Sequence, residues 1–274
     1  MFKGTSASAG IGIGKAVIVE EAELVITRNE VADAEAEIQR FKGALEKTIA
    51  ATQKMADDLA SRVGEKEAEI MQGHMMLLSD PMLTGEIESS IRNDKVNSEF
   101  AIENVCNMYA DMFASMGDEL MQQRATDMRD IKVRMQRTLM GLESVDVSLL
   151  PKGSILVAKD LTPSMTAGIN PENVSGIVTE LGGKTSHSAI LARALEIPAV
   201  VAVNGLMDAV KDGDSVVLDG STGEVFVNPE ASVEKEYEEK RSQFLKDKKE
   251  LGKIHWTAFC YKRRRTGRDR CQYR

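Results

Sequence analysis

The chain is poor in the residues that usually stiffen a small secreted or all-β protein. Aromatic residues make up 4% of its 274 positions, and there are only three cysteines and six prolines. Cys106, Cys260 and Cys271 form no CxxC pair, so neither a disulfide framework nor a zinc site is signalled. No stretch approaches the roughly 18 uninterrupted apolar residues of a membrane span. The opening MFKGTSASAG lacks the basic and apolar runs of a secretory signal. The formal net charge of −8 carries no electrostatic footprint for nucleic acid over the main body. These absences read as a cytoplasmic protein with no nucleic-acid and no membrane partner. What is present is 42% hydrophobic residues, 28% charged residues and 15 methionines. That mixture favours helices packed by Met, Leu and Ile.

Hydrophobic periodicity divides the chain. Lys15 to Val19 reads as a buried strand, and the next 120 residues follow helical spacing. Ile38, Phe41, Leu45 and Ile49 form one stripe, and Leu59 and Val63 extend it. Ile70, His74 and Leu77 or Leu78 form a second, and Leu83, Ile87 and Ile91 a third. Asp80-Pro81 is a helix-start pair between them. A long stripe runs from Ile102 through Val105, Tyr109, Met112 and Met116 to Leu120. Met128, Ile131, Met135 and Leu139 follow, with Gly141 at a helix C-terminus. After Pro151 short strands return at 154–158, 174–179, 199–203, 215–218 and 224–227, the last two joined as a hairpin. The early strand has no partner near it in sequence. The expected architecture is therefore an α/β domain in two segments, 1–24 and 145–230, interrupted by an α-helical bundle over 25–144. Residues 231–252 read as a charged linker helix. Residues 253–274 form an atypical basic tail.

The stretch Glu180 to Pro198, ELGGKTSHSAILARALEIP, carries the chemistry. A nucleotide P-loop would need a glycine at position 178, which is Val178, so that reading fails. His187 falls instead at the start of a helix that follows a Gly-Gly loop. Unpaired amides and the helix dipole there attract a phosphate dianion. The same dipole keeps the imidazole neutral, as a nucleophilic nitrogen must be. Gly182 and Gly183 allow close backbone approach. Lys184, Thr185 and Ser186 add charge or hydrogen bonds. The plain alternative is a histidine that merely begins a helix.

GGKTSHSAILAR resembles the phosphohistidine signature G-G-x-T-S-H-x-x-I-x-A-R of phosphoenolpyruvate-utilising enzymes. Among these, GTSASAGIGIGKA, GEKEAEIMQGHMMLLSDPML, RATDMRDIKVRM and DLTPSMTA are similar to segments of the enzyme I family of the sugar phosphotransferase system. The resemblance covers residues 1 to about 252. It implies a swivelling α/β phosphohistidine domain with an inserted bundle that docks the phosphocarrier HPr. It makes His187 the phosphorylated residue, through Nε2, and Thr166 the residue that orients its other ring nitrogen. A buried threonine bonded to backbone is the alternative for Thr166. Arg193 is assigned to phosphate support, although an ion pair suits its place in the second helical turn. The HPr surface would comprise Glu65, Glu67, Gln72, Met76, Leu77, Asp80, Leu83 and Arg124. Internal packing is the alternative for its apolar members. His74, on an apolar stripe, reads as a core histidine and not a second acceptor.

The family's phosphoenolpyruvate-binding barrel needs about 250 residues, and only some twenty follow the linker helix. The expectation is a monomer without cofactor or metal, Mg²⁺ belonging to the missing barrel, able to perform only the histidine-to-HPr half reaction. The tail is compatible with a frameshift at the barrel entry; a basic arm or an appended segment are the alternatives. Two further functions stay open: a phosphohistidine domain of a pyruvate phosphate dikinase or phosphoenolpyruvate synthase, and an inactive helical interaction module.

Overall fold

A computed structural model describes residues 1–143 and 145–265; the side chains of 67, 119, 249 and 251–265 lie outside it. Three strands open the chain: β1 (Phe2–Lys3), β2 (Thr5–Ser8) and β3 (Ile11–Ile18). Five helices follow: α1 (Ala34–Arg62), α2 (Glu65–Leu78), α3 (Pro81–Asp94), α4 (Ser98–Ser115) and α5 (Glu119–Met140). After a 3₁₀ turn at Val147–Leu149 come β4 (Ser154–Ala158), α6 (Pro163–Ala167), β5 (Val174–Thr179) and α7 (His187–Ala194). The chain continues through β6 (Ala199–Val201), α8 (Leu206–Ala209), β7 (Ser215–Asp219), β8 (Glu224–Val227) and α9 (Ala231–Arg265).

One eight-stranded sheet has the order β1-β8-β7-β3-β4-β5-β6-β2. β3 pairs parallel with β4, in the register Lys15↔Ser154 to Ile18↔Val157. The five-helix bundle is therefore an excursion between two neighbouring strands. β1 and β2 lie at opposite ends of the sheet but are separated only by Gly4. The sheet must curl until its ends meet there, and the Gly4 amide donates to the Gly223 carbonyl at 2.9 Å. A Cβ on Gly4 would sit 2.6 Å from Val203 and 2.7 Å from the Val201 carbonyl, so only glycine closes this seam. Closure removes the unpaired edges an open sheet would expose.

The bundle core is built from the predicted stripes: Ile38, Phe41, Leu83, Ile87, Ile91, Ile102, Met128, Ile131 and Met135 are all buried. Each such burial contributes roughly 1.5–3 kcal/mol against the entropy of ordering the chain. Asp80 caps α3 by accepting from the Met82 amide at 2.8 Å, with Pro81 in the first turn. Gly141 ends α5 in the left-handed region. Bundle and sheet are joined by an apolar cluster of Ala56, Leu59, Ala68 and Met71 with Ala167 and Leu191. Beside it, the Arg62 guanidinium donates to the Ile169 carbonyl at 2.8 Å.

The helices of the bundle run from Ala34 to Met140, inside the segment 25–144. Several details differ from the expectation. The long stripe breaks because α4 stops at Ser115 and Gly117 takes a positive φ of 71°. Met112, Met116 and Leu120 are 43%, 54% and 55% exposed, so they face away from the core. β6 ends at Val201 because Ala202 adopts φ 57°, outside the β region. α9 runs to Arg265 without a break at the expected boundary of 252. The frameshift reading concerns residues whose side chains, or whole placement, lie outside the described part.

Candidate active site

The loop between β5 and α7 is held by its own polar groups. The Ser186 hydroxyl donates to the Gly183 carbonyl at 2.8 Å and accepts from the Ala189 amide at 3.3 Å, so it caps α7. Gly182 has φ +97°, which a side chain rarely adopts, and nothing lies within 4 Å of a Cβ on Gly183. Lys184 and Thr185 are exposed at the crest. Among the described residues Arg193 forms no ion pair. Its fork donates to the carbonyls of Ala7 and Lys184, each at 3.0 Å, because two backbone oxygens converge on it. In this structure Arg193 clamps the loop to β2.

His187 is the first residue of α7. Its side chain is 13% exposed, and both ring nitrogens are buried without an aligned hydrogen bond. Nε2 lies 3.4 Å from Oδ1 of Asp127 on α5. The same Oδ1 lies 3.2 Å from Nε2 of His74, which is fully buried on α2. Arg124 Nη1 stands 3.5 Å from the other Asp127 oxygen. One turn along α5, Asp130 accepts from the Ser164 hydroxyl at 2.7 Å and from its amide at 3.1 Å, at the start of α6. His74 Nδ1 is 3.6 Å from Asp130 Oδ2. Burial alone would raise the Asp127 pKa. The close approach and charge of His187, and the hydrogen bond and charge of His74, outweigh it and hold the carboxyl down at about 2. Asp160, also near His187, has its carboxyl pushed up by burial, against the Leu161 amide and the His187 charge. A cleft of about 510 Å³ opens in front of His187, walled by Gln122 and Thr126 of the bundle and by Gly183 and Thr185 of the loop. A cavity of similar size, about 520 Å³, lies between α1 and α6 and holds none of the predicted site residues.

Thr166 is buried on α6, but its hydroxyl donates to the Pro163 carbonyl at 2.8 Å. Among the described residues no hydrogen bond joins it to His187, whose ring is turned toward Asp127. Of the expected docking residues, Glu65, Gln72 and Met76 are exposed, Met76 by 74%. Leu77 is half-buried against the bundle core, and Asp80 is occupied as a cap. Leu83 is 2% exposed and belongs to the core, since α3 turns that face inward. Arg124 turns toward Asp127 and lies over Gly73, whose absent Cβ leaves it room. The Glu67 side chain lies outside the described residues. The sequence reading missed Asp127, Asp130 and Ser164. A signal existed: the two aspartates are three apart in RATDMRDI, on the face that buries Met128 and Ile131, opposite a lone histidine in an apolar stripe.

Two family models match the chain: PEP-utilising enzyme, N-terminal, over residues 3–124, and PEP-utilising enzyme, mobile domain, over residues 150–223. The NMR solution structure of an enzyme I protein superposes with a TM-score of 0.77 at 39% identity, covering 89% of this chain and 99% of that one. The chain belongs to the enzyme I family. The structure of an N-terminal domain of the nitrogen enzyme I superposes at TM-score 0.57 and 25% identity, covering 88% of this chain and all of that one. Phosphoenolpyruvate-protein phosphotransferases of Bacillus subtilis (strain 168) and Staphylococcus carnosus (strain TM300) are each 41% identical over 253 residues. Those matches cover 92% of this chain and 44% of each relative, so the enzyme I chain described here spans under half their length. The family makes it a homologue of transferases. No helix among the described residues is long and apolar enough to cross a membrane.

Proposed function

We propose that this enzyme I chain carries a phosphoryl group on Nε2 of His187 and exchanges it with a histidine of the HPr phosphocarrier. The observation that carries this reading is the placement of His187 in the first turn of α7, beneath the Gly-Gly-Lys-Thr-Ser loop and facing a cleft shared with the bundle. The first amides of a helix lack helical carbonyl partners and favour an anion. Lys184 at the loop crest adds a cation. In the transfer, the P–N bond to one histidine breaks as a P–N bond to the other forms. Such a step needs alignment and charge neutralisation more than covalent machinery.

In the structure Nε2 is shut against Asp127, so transfer requires the ring to turn outward. Thr166 then becomes its natural partner. α6 packs on α7, and Pro163 uses only the hydroxyl hydrogen of Thr166, leaving its oxygen able to accept from Nδ1–H. Glu65, Gln72 and Met76 on α2 offer HPr an apolar contact edged by polar groups. We assign Mg²⁺ and phosphoenolpyruvate to no residue of this chain.

The test is transfer from phosphorylated HPr to this chain and to His187→Ala. The expected result is one acid-labile phosphoryl group mapped to His187 and absent from the variant. Label elsewhere, or none on folded chain with an HPr that phosphorylates other enzymes I, overturns the reading.

A further inference from the structure

The three groups His74, Asp127 and His187 form a continuous chain across the junction of bundle and sheet, with one carboxylate oxygen between two imidazole nitrogens. His187 alone belongs to the loop chemistry. Asp127 and His74 lie on α5 and α2, and both are buried. We propose that Asp127 is a positioning residue that holds His187 as its Nε2–H tautomer between transfers, and that His74 acts through Asp127 by fixing that carboxylate.

The geometry supports each link. A carboxylate is only an acceptor, so the nitrogen facing it is favoured as the one that bears the proton. Two histidine nitrogens meet Asp127 Oδ1, at 3.2 and 3.4 Å. Asp127 has no freedom to turn away, because Arg124 stands beside its second oxygen at 3.5 Å. His74 cannot leave either, being fully buried with its other nitrogen toward Asp130. Asp130 in turn ties α5 to the start of α6 through Ser164, and that contact does not involve His187. The junction therefore has a fixed tie at Ser164 and a releasable one at His187.

This inference rests on reading His187 as the phosphoacceptor. A nitrogen that bears a proton has no lone pair to attack phosphorus. Release from Asp127 lets the proton move from Nε2 to Nδ1 by exchange with water, with no net gain or loss. Nε2 then presents its lone pair, the new P–N bond forms and the donor's bond breaks. A phosphoryl group on Nε2 replaces the proton that faces Asp127 and sets a second anion beside it. Asp127 thus favours the unphosphorylated chain, and its removal must shift the exchange equilibrium toward the phosphorylated one.

The experiment uses the full chain with ¹⁵N-labelled histidine, at pH 8 and without phosphate donor. In the parent chain the His187 ring nitrogens should report Nε2–H as the dominant tautomer. In Asp127→Ala the ratio of Nε2–H to Nδ1–H should fall at least fivefold. Asp127→Asn, which keeps shape and fold, should move it in the same direction by less. His74→Leu should resemble Asp127→Ala, and His74→Gln, which keeps a donor toward Asp127, should restore most of the ratio. An unchanged ratio in folded Asp127→Ala and Asp127→Asn chains overturns the proposal, whether or not His187 accepts phosphate. The second readout is the equilibrium with phosphorylated HPr, expected to shift at least fivefold toward the phosphorylated chain in Asp127→Ala. No shift there, with the tautomer changed, overturns the claim that the contact opposes phosphorylation.

Discussion

Arg193 joins the two segments of the α/β domain: one guanidinium nitrogen donates to the Ala7 carbonyl and the other to the Lys184 carbonyl, each at 3.0 Å. Ala7 lies on β2, before the helical excursion, and Lys184 lies in the loop that precedes His187. Arg193 is thus a brace between a strand at the sheet seam and the loop that precedes His187.

That role predicts how Arg193 variants behave. Arg193→Ala removes two charge-assisted hydrogen bonds and should cost about 1–3 kcal/mol in urea unfolding. Arg193→Lys should recover little of this, because a single ammonium cannot reach both carbonyls as a planar fork does. In both, backbone amide exchange should quicken across 182–186. A direct phosphate ligand would leave that exchange untouched in the unphosphorylated chain.

Asp127 predicts a pH dependence. Its folded pKa is held down at about 2, below the ordinary value of 3.8. A depressed carboxyl adds stability that is present above the ordinary pKa and is lost as pH falls through the folded one. The contribution at pH 5 is about 2 kcal/mol. The stability difference between the parent chain and Asp127→Asn should therefore be fully present near pH 5 and shrink toward pH 2. Urea melts at half-unit pH steps check this, and a difference independent of pH across that window would refute it.

Leu83 and Met76 separate packing from docking. Leu83→Ala empties a buried site on α3 and should destabilise the chain by about 2–5 kcal/mol. Met76 is 74% exposed, and Met76→Ala should change stability by no more than about 0.5 kcal/mol. The same Met76 variant should weaken HPr binding several-fold in calorimetry. Equal HPr affinity in the parent and Met76→Ala chains would remove α2 from the proposed surface.

Much of the molecule was determined by local sequence. The helical stripes at Ile38, Phe41, Ile87, Ile91 and Ile131 fixed which faces are buried, because a helix repeats every 3.6 residues whatever it packs against. Asp80-Pro81 and Gly141 fixed helix ends by the hydrogen bonds and φ angles those residues allow. The loop GGKTSH placed His187 at a helix start for the same local reason. Tertiary structure decided everything that needs two distant segments. It closed the sheet at Gly4, whose partners lie some 200 residues away. It turned Leu83 inward, since periodicity names a face but not its neighbour. It gave the Arg193 fork to two carbonyls and the Thr166 hydroxyl to Pro163. Above all, it carried Asp127 and His74 from two bundle helices to His187. A side chain's charge is written in the sequence, but its partner across a domain junction is set by packing, where burial leaves an unpaired ion no cheaper choice.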